Sequence, residues 1–210
     1  TINGLSGNGV VDGTSGTPTL TLGDSNATAT FSGDIKNTAG ALSLVKIGTG
    51  TQTLSGANTY AGGTTITGGM LSLGSSSALG STGTISMNGG TLQFSASNTT
   101  DYSSGGRLKI EDGVTAIFDT NGQAVTFASP LSLGTLATGA LTKAGAGTLT
   151  LAAANTYTGN TAVNAGTLVV DSTLASSALT VAGGAALGGT GTLAGTVTVN
   201  SRSEEHTSEL

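Results

Sequence analysis

The densest run of charged side chains lies between Asp101 and Asp119, where Asp101, Arg107, Lys109, Glu111, Asp112 and Asp119 fall within nineteen positions of a chain that is otherwise 8% charged. Four carboxylates at Asp101, Glu111, Asp112 and Asp119 could hold a Ca²⁺ ion through oxygen ligands. With the neighbouring Arg and Lys they could instead perform acid–base work on a polysaccharide. Either use requires the acids to converge in one cleft. If they do not, they are the solvated charges of loops flanking a strand at Leu108–Ile110. No Gly-Gly-x-Gly-x-Asp nonapeptide that would build a calcium roll is present.

Other chemistry finds little to work with. There is no Cys, and the one His, His206, lies near the C-terminus, so nucleophile–base pairs are not supported. No Gly-x-Ser-x-Gly elbow occurs. Gly145-Ala-Gly147 and Gly189-Thr-Gly191 lack the third spaced Gly and the following helix of a phosphate-binding loop. Thr-x-Thr pairs recur at Thr19/Thr21, Thr28/Thr30, Thr51/Thr53, Thr148/Thr150, Thr190/Thr192 and Thr196/Thr198. Aligned in one flat file they could order water and bind ice; otherwise they are β-branched residues on exposed strands. Tyr60 and Tyr157 could stack on a ligand, but are expected to cover the edges of structural coils. No cofactor or metal is implied.

The elements that would carry these residues are short. Alternating apolar and hydroxyl runs recur at Thr19–Leu22, 27–31, 42–45, Met70–Leu73, 84–87, 91–94, 115–118, Ala124–Phe127, Thr148–Leu151 and Thr196–Val199. Period-two alternation over about four residues marks half-buried strands. Asn88-Gly89-Gly90, Asp119-Thr120-Asn121-Gly122 and Ala182-Gly183-Gly184 supply bends between them. No sustained 3.6-residue apolar period is present, so essentially no helix is predicted. The 36 glycines suggest low complexity, but 36% hydrophobic residues in regular alternation argue against a disordered linker. Only 3% of residues are aromatic, which predicts a thin aliphatic core.

The run 44–73 aligns without gaps on 141–170, an offset of 97, with 15 of 30 positions identical. Shared positions include Lys46/Lys143, Gly48/Gly145, Gly50/Gly147, Asn58/Asn155, Tyr60/Tyr157 and Gly62/Gly159. Each copy holds about three strand-like runs, slightly more than one turn of a three-sided coil. Stacked coils bury together what one coil cannot, and about 200 residues give eight to ten coils, a rod of roughly 40–50 Å at about 4.8 Å per rung. The competing architecture is an antiparallel sandwich, but its hairpins favour two-residue turns between longer strands.

The two copies resemble the passenger-associated strand repeat of autotransporter proteins, through Lys46-x-Gly-x-Gly-Thr51 with Ala57-Asn-Thr-Tyr60-x-Gly62 and Lys143-x-Gly-x-Gly-Thr148 with Ala154-Asn-Thr-Tyr157-x-Gly159. Gln52, where an apolar residue is usual, and Asn160, where Gly is commoner, depart from the pattern. The stretch Leu187–Val199 also resembles the closing part of such passengers. The resemblance implies an all-β, right-handed parallel β-helix (β-solenoid) without its C-terminal translocator barrel. It implies a passenger domain carried by type V secretion to the Gram-negative cell surface, outer membrane associated or extracellular. There it would act as a stalk or adhesin on host, neighbouring-cell or matrix ligands, and not as an enzyme. The alternatives are a β-helical carbohydrate-active module using the acids of 101–119, and an ice-binding solenoid.

The chain starts at Thr1 without Met or signal peptide and reads as an internal piece, with residues 1–200 as solenoid. The tail is different: Arg202–Leu210, RSEEHTSEL, resembles a translated sequencing adapter and is expected to be non-native. Net charge is −5, or −3 without that tail (five basic, eight acidic residues). Neither value suggests nucleic acid or an anionic membrane surface as partner. No run of about 20 apolar residues implies membrane insertion.

Overall fold

The alternation read from the sequence becomes an inside–outside pattern. In Ser43–Lys46, Thr51–Leu54, Met70–Leu73 and Thr148–Leu151, successive residues are buried and half-buried in turn. Strand geometry sends alternate side chains to opposite faces of a sheet, so one side of each strand must find apolar company. It does so by stacking. The structure, a computed structural model, describes residues 1–200; the tail at 202–210 lies outside the described residues. Every pairing between named strands is parallel, as in Leu44 with Thr64 and Thr91 with Ile117, so the antiparallel sandwich is excluded. An antiparallel bridge joins Ser95 and Asn98. The one helical element among the described residues is a 3₁₀ turn at Ser104–Gly106.

The chain winds as a three-faced β-solenoid. The first face is a six-stranded sheet from Thr19–Leu22 to Ser132–Leu133, prolonged by bridges joining Asn155, Leu174 and Leu193. The second face is a nine-stranded sheet from Ala29–Phe31 to Thr196–Val199. Nine rungs at about 4.8 Å make a rod of roughly 38 Å. The third face has a pair of strands, Val10–Asp12 and Asp34–Lys36, and a four-stranded sheet from Ala124–Phe127 to Ala186–Gly188. Between them lies a stretch without strands, from Asn58 through Asn98, held by side chains instead. Ile35 N donates to Asn58 Oδ1 at 2.7 Å, Asn58 Nδ2 to Ala78 O at 2.7 Å, and Asn98 Nδ2 to Ser75 O at 2.6 Å.

Coil length varies along the rod. Thr161 pairs with Leu179, 18 residues on, whereas Thr91 pairs with Ile117, 26 residues on. A longer coil encloses a wider interior, and the aromatic rings collect there. Phe94, Phe118 and Phe127 pack with ring centroids 6.2 Å (Phe94–Phe127) and 5.2 Å (Phe118–Phe127) apart, and Tyr102 lies 6.4 Å from Phe94. All four Phe and all three Tyr are buried. The prediction of a core too thin for rings is therefore corrected. Rings are few because most coils are short, and they sit where the perimeter allows them. Elsewhere the core is a set of aliphatic ladders such as Leu22, Ile66, Ile110 and Leu141.

Candidate functional site

Each repeat contributes four strands, not three: Ser43–Lys46, Thr51–Leu54, Thr64–Ile66 and Met70–Leu73 in the first; Ala140–Ala144, Thr148–Leu151, Thr161–Val163 and Thr167–Val170 in the second. Lys46 stacks in file with Ile66, Met87, Ile110 and Leu133 on the first face. That is four complete turns to Leu133, ten residues before Lys143. Lys143 lies on the second face, in file with Phe118, Leu92, Leu71 and Gln52. The offset of 97 residues is thus four turns plus one face, and the two copies are rotated by one face relative to each other.

Their internal geometry is nevertheless the same. Lys46 and Lys143 point inward at the end of their strands and are fully buried. Lys46 Nζ donates to Ile47 O at 2.6 Å and Gly68 O at 3.4 Å. Lys143 Nζ donates to Ala144 O at 2.8 Å, Gly145 O at 2.6 Å and Ala165 O at 3.1 Å. In both, one ammonium ties the turn after its own strand to the corresponding turn one coil above. Burial pushes both amines below the usual lysine value; for Lys143 the Asp119 carboxylate partly offsets this. The carbonyls are turned toward the amine by a tight bend in which Gly48 (φ 66°) and Gly145 (φ 67°) occupy the left-handed region that disfavours a Cβ.

The Asn-Thr-Tyr run also keeps one shape in both copies. Asn58 and Asn155 are buried, and each Oδ1 accepts from the coil below, from Ile35 N at 2.7 Å and Leu131 N at 2.9 Å. They replace a missing strand bond with a side chain. The Tyr60 hydroxyl meets Thr64 Oγ1 at 2.7 Å, and the Tyr157 hydroxyl meets Thr161 Oγ1 at 2.9 Å. The expectation that these tyrosines cover coil edges is corrected. A threonine four residues on satisfies the phenol, so the whole ring enters the core, 1% and 0% exposed. Gly62 and Gly159 sit where the backbone of the preceding coil leaves no room for a Cβ. Gly50 and Gly147 are likewise crowded by carbonyls of the coil below.

The two departures from the repeat pattern have structural reasons. Gln52 points inward and reads the backbone of Leu5, accepting from its N–H at 2.9 Å and donating to its C=O at 2.9 Å, in place of a ladder partner. Asn160 Oδ1 accepts from Ser177 Oγ at 2.9 Å in the coil above.

The four acids are not gathered. Glu111 and Asp112 lie at the corner between first and second faces, Asp119 at the end of the second, and Asp101 on the third. Each is spent on a local structural bond. Asp101 accepts from Ser103 N at 2.9 Å and Ala128 N at 3.1 Å. Glu111 pairs with Lys109 at 2.9 Å and accepts from Ser86 Oγ at 2.5 Å. Asp112 accepts from Leu136 N and Thr138 N, one coil above, at 2.9 and 3.2 Å, and Asp119 from Gln93 Nε2 at 2.8 Å. Among the described residues no group of three or more acids or histidines is placed to hold a metal ion. These bonds hold the Asp112 carboxyl below its ordinary value, and the Ser86 and Lys109 contacts lower Glu111 despite its partial burial. The convergent cleft that calcium or carbohydrate chemistry required of these acids does not form. The Thr-x-Thr pairs do not align either: Thr19/Thr21 lie on the first face, Thr51/Thr53 on the second and Thr148/Thr150 on the third.

A concavity that the sequence does not announce opens in the strandless stretch of the third face. It encloses about 290 Å³ between the 76–81 segment and Thr100, Tyr102 and Arg107. Arg107 Nε donates to Gly83 O at 3.0 Å, and Nη2 to Gly80 O at 2.5 Å and Thr82 O at 3.1 Å. Its guanidinium lies 5.9 Å from the Tyr102 ring centroid.

Comparison with known proteins agrees with this geometry. No curated protein and no solved structure matches the chain. Residues 44–73 and 141–170 each match the family model described as passenger-associated-transport-repeat, the same two windows in which the Lys, Asn and Tyr geometry recurs. The chain thus carries two passenger-associated transport repeats, of the kind found in autotransporter passengers, wound into one parallel β-solenoid.

Proposed function

We propose that this chain is a rod segment of an autotransporter passenger, delivered through the outer membrane by the protein's own translocator barrel. It would stand at the cell surface as a stalk or adhesin rather than as an enzyme. The observation that carries this reading is the nine-stranded second face, which runs without a break through both repeats. Each rung is tied to the next by backbone bonds, which gives stiffness along the axis, and each coil contacts only its neighbours. The outward file of that face runs Thr51, Met70, Thr91, Ile117, Thr142, Ala162, Thr180 and Thr198, with no charge in it. A long, neutral strip of hydroxyl and methyl groups suits broad, shallow contact with a host cell, a neighbouring cell or matrix.

The test is surface display. Fused ahead of a translocator barrel in a non-adherent Gram-negative host, the chain should reach the surface, become accessible to external protease, and raise attachment to host-cell or matrix-coated layers above the barrel alone. A chain that reaches the surface folded and gives attachment no greater than the barrel alone contradicts the adhesive role.

A further inference from the structure

From the third-face concavity we infer a binding site for one acidic sugar residue, a hexuronate-type saccharide carrying a carboxylate and several hydroxyls. The inference rests on the surface-adhesion reading and names a ligand class for it.

The argument begins with the cations. Among the described residues, Lys36 pairs with Asp12, Lys109 pairs with Glu111, and Lys46 and Lys143 are buried on carbonyls. Arg107 faces no carboxylate among the described residues: its bonding partners are the three carbonyls of Gly80, Thr82 and Gly83, and no acid lines the concavity. Those carbonyls occupy Nε and both hydrogens of Nη2. Nη1 keeps two N–H donors with no acceptor among the described residues. A guanidinium so clamped along one edge and resting over a tyrosine ring is pre-organised, so little side-chain entropy is lost when an anion binds. The phenol of Tyr102 is itself fixed, accepting from Asn98 Nδ2 at 2.8 Å.

The rest of the lining sets the ligand's chemistry. Ser76, Ser77, Ser81 and Thr100 place hydroxyls around the mouth, and Leu79 supplies an apolar patch. One cation with two free donors suits a monoanionic carboxylate better than a phosphate, which draws on several positive groups. The hydroxyl rim suits a polyol, and Leu79 suits the C–H face of a sugar ring. About 290 Å³ lies at the low end of small-molecule sites, room for one ring and not for a peptide.

The experiment titrates the full chain, labelled with ¹⁵N, with glucuronate, with neutral glucose and with acetate. Glucuronate should shift the Arg107 Nε–H signal and the amides of Ser81 and Thr100, while glucose and acetate bind at least about tenfold more weakly, the loss expected when the charge-assisted bond or the hydroxyl contacts are absent. Ser81→Trp, which fills the mouth and leaves the arginine clamp intact, should abolish the shifts, as should Arg107→Gln with an unchanged circular dichroism spectrum. Absence of shifts, shifts that persist in Ser81→Trp, or acetate matching glucuronate would each overturn the site. The display assay separates the two claims: attachment retained in Arg107→Gln cells, with no uronate binding by the purified chain, sinks this site and leaves the adhesive rod standing.

Discussion

Lys46 and Lys143 hold the same ring of turn carbonyls although they stand on different faces of the solenoid, four turns and one face apart. The repeat therefore encodes a local clip and not a fixed side of the rod. An outward residue of the first copy and its counterpart in the other copy point in directions one face apart, so the two copies do not present one flat surface in duplicate.

Replacing either lysine by alanine removes the ammonium and leaves two or three turn carbonyls buried without a donor. An unsatisfied buried group costs about 1–3 kcal/mol. Lys46→Ala and Lys143→Ala should each lower the denaturation free energy by about 2 kcal/mol in urea melts. The double variant should be close to additive, because the two clips share no partner. A large cost at one site and none at the other would contradict their equivalence.

Asn58→Ala and Asn155→Ala test the other half of the motif. Each removes a side chain that completes the ladder to the coil below. Amide exchange should quicken locally at Ile35 in the first variant and Leu131 in the second, with about 1–3 kcal/mol lost. Exchange that quickens evenly along the rod would argue against this local role.

The tyrosines set the alkaline limit. Burial raises the Tyr60 phenol to about 12 and pushes Tyr102 and Tyr157 up as well. A raised folded-state value means stability is intact below the ordinary tyrosine value of about 10 and is lost as pH rises through the folded-state value. Tyrosinate absorbance at 295 nm should therefore stay low at about pH 10.5 while the chain is folded, then appear together with loss of the strand circular dichroism signal. Tyrosines that ionise near pH 10 in the folded chain would show that the rings are not interior.

At the acid end the sign reverses. Asp112 is held below its ordinary value by amides one coil above, so its contribution is present above about pH 4 and fades as pH falls through the lowered value. Hydrogen exchange at Leu136 and Thr138 should accelerate below about pH 3. Asp112→Asn should show the same acceleration at neutral pH.

Much of the fold was legible because a thin parallel solenoid writes itself into sequence as alternation. Thr19–Leu22 and Thr148–Leu151 have the bounds that their pattern predicts. The interior placement of Lys46 was not legible, because lysine is ordinarily a surface residue and only carbonyls supplied by two successive turns make its burial tolerable. Tyr60 was misplaced for a related reason: nothing marks Thr64 as its partner until the chain coils. The rotation between copies was hidden because an offset of 97 becomes a number of turns only once coil lengths of 18 to 26 residues are known. The concavity beside Arg107 arises from strands that are missing, and alternation patterns report strands.

The one-face rotation of the repeats is tested most directly by cross-linking, in a chain with no native cysteine. Ile117 and Thr142 are register partners on adjacent rungs of the second face, within the Cα separation a disulfide spans. Ile117→Cys/Thr142→Cys should close a disulfide on mild oxidation, while Lys109→Cys/Thr142→Cys, which joins first and second faces, should not. Closure of the Lys109 pair with the Ile117 pair left open would place the second repeat on the first face and contradict the account.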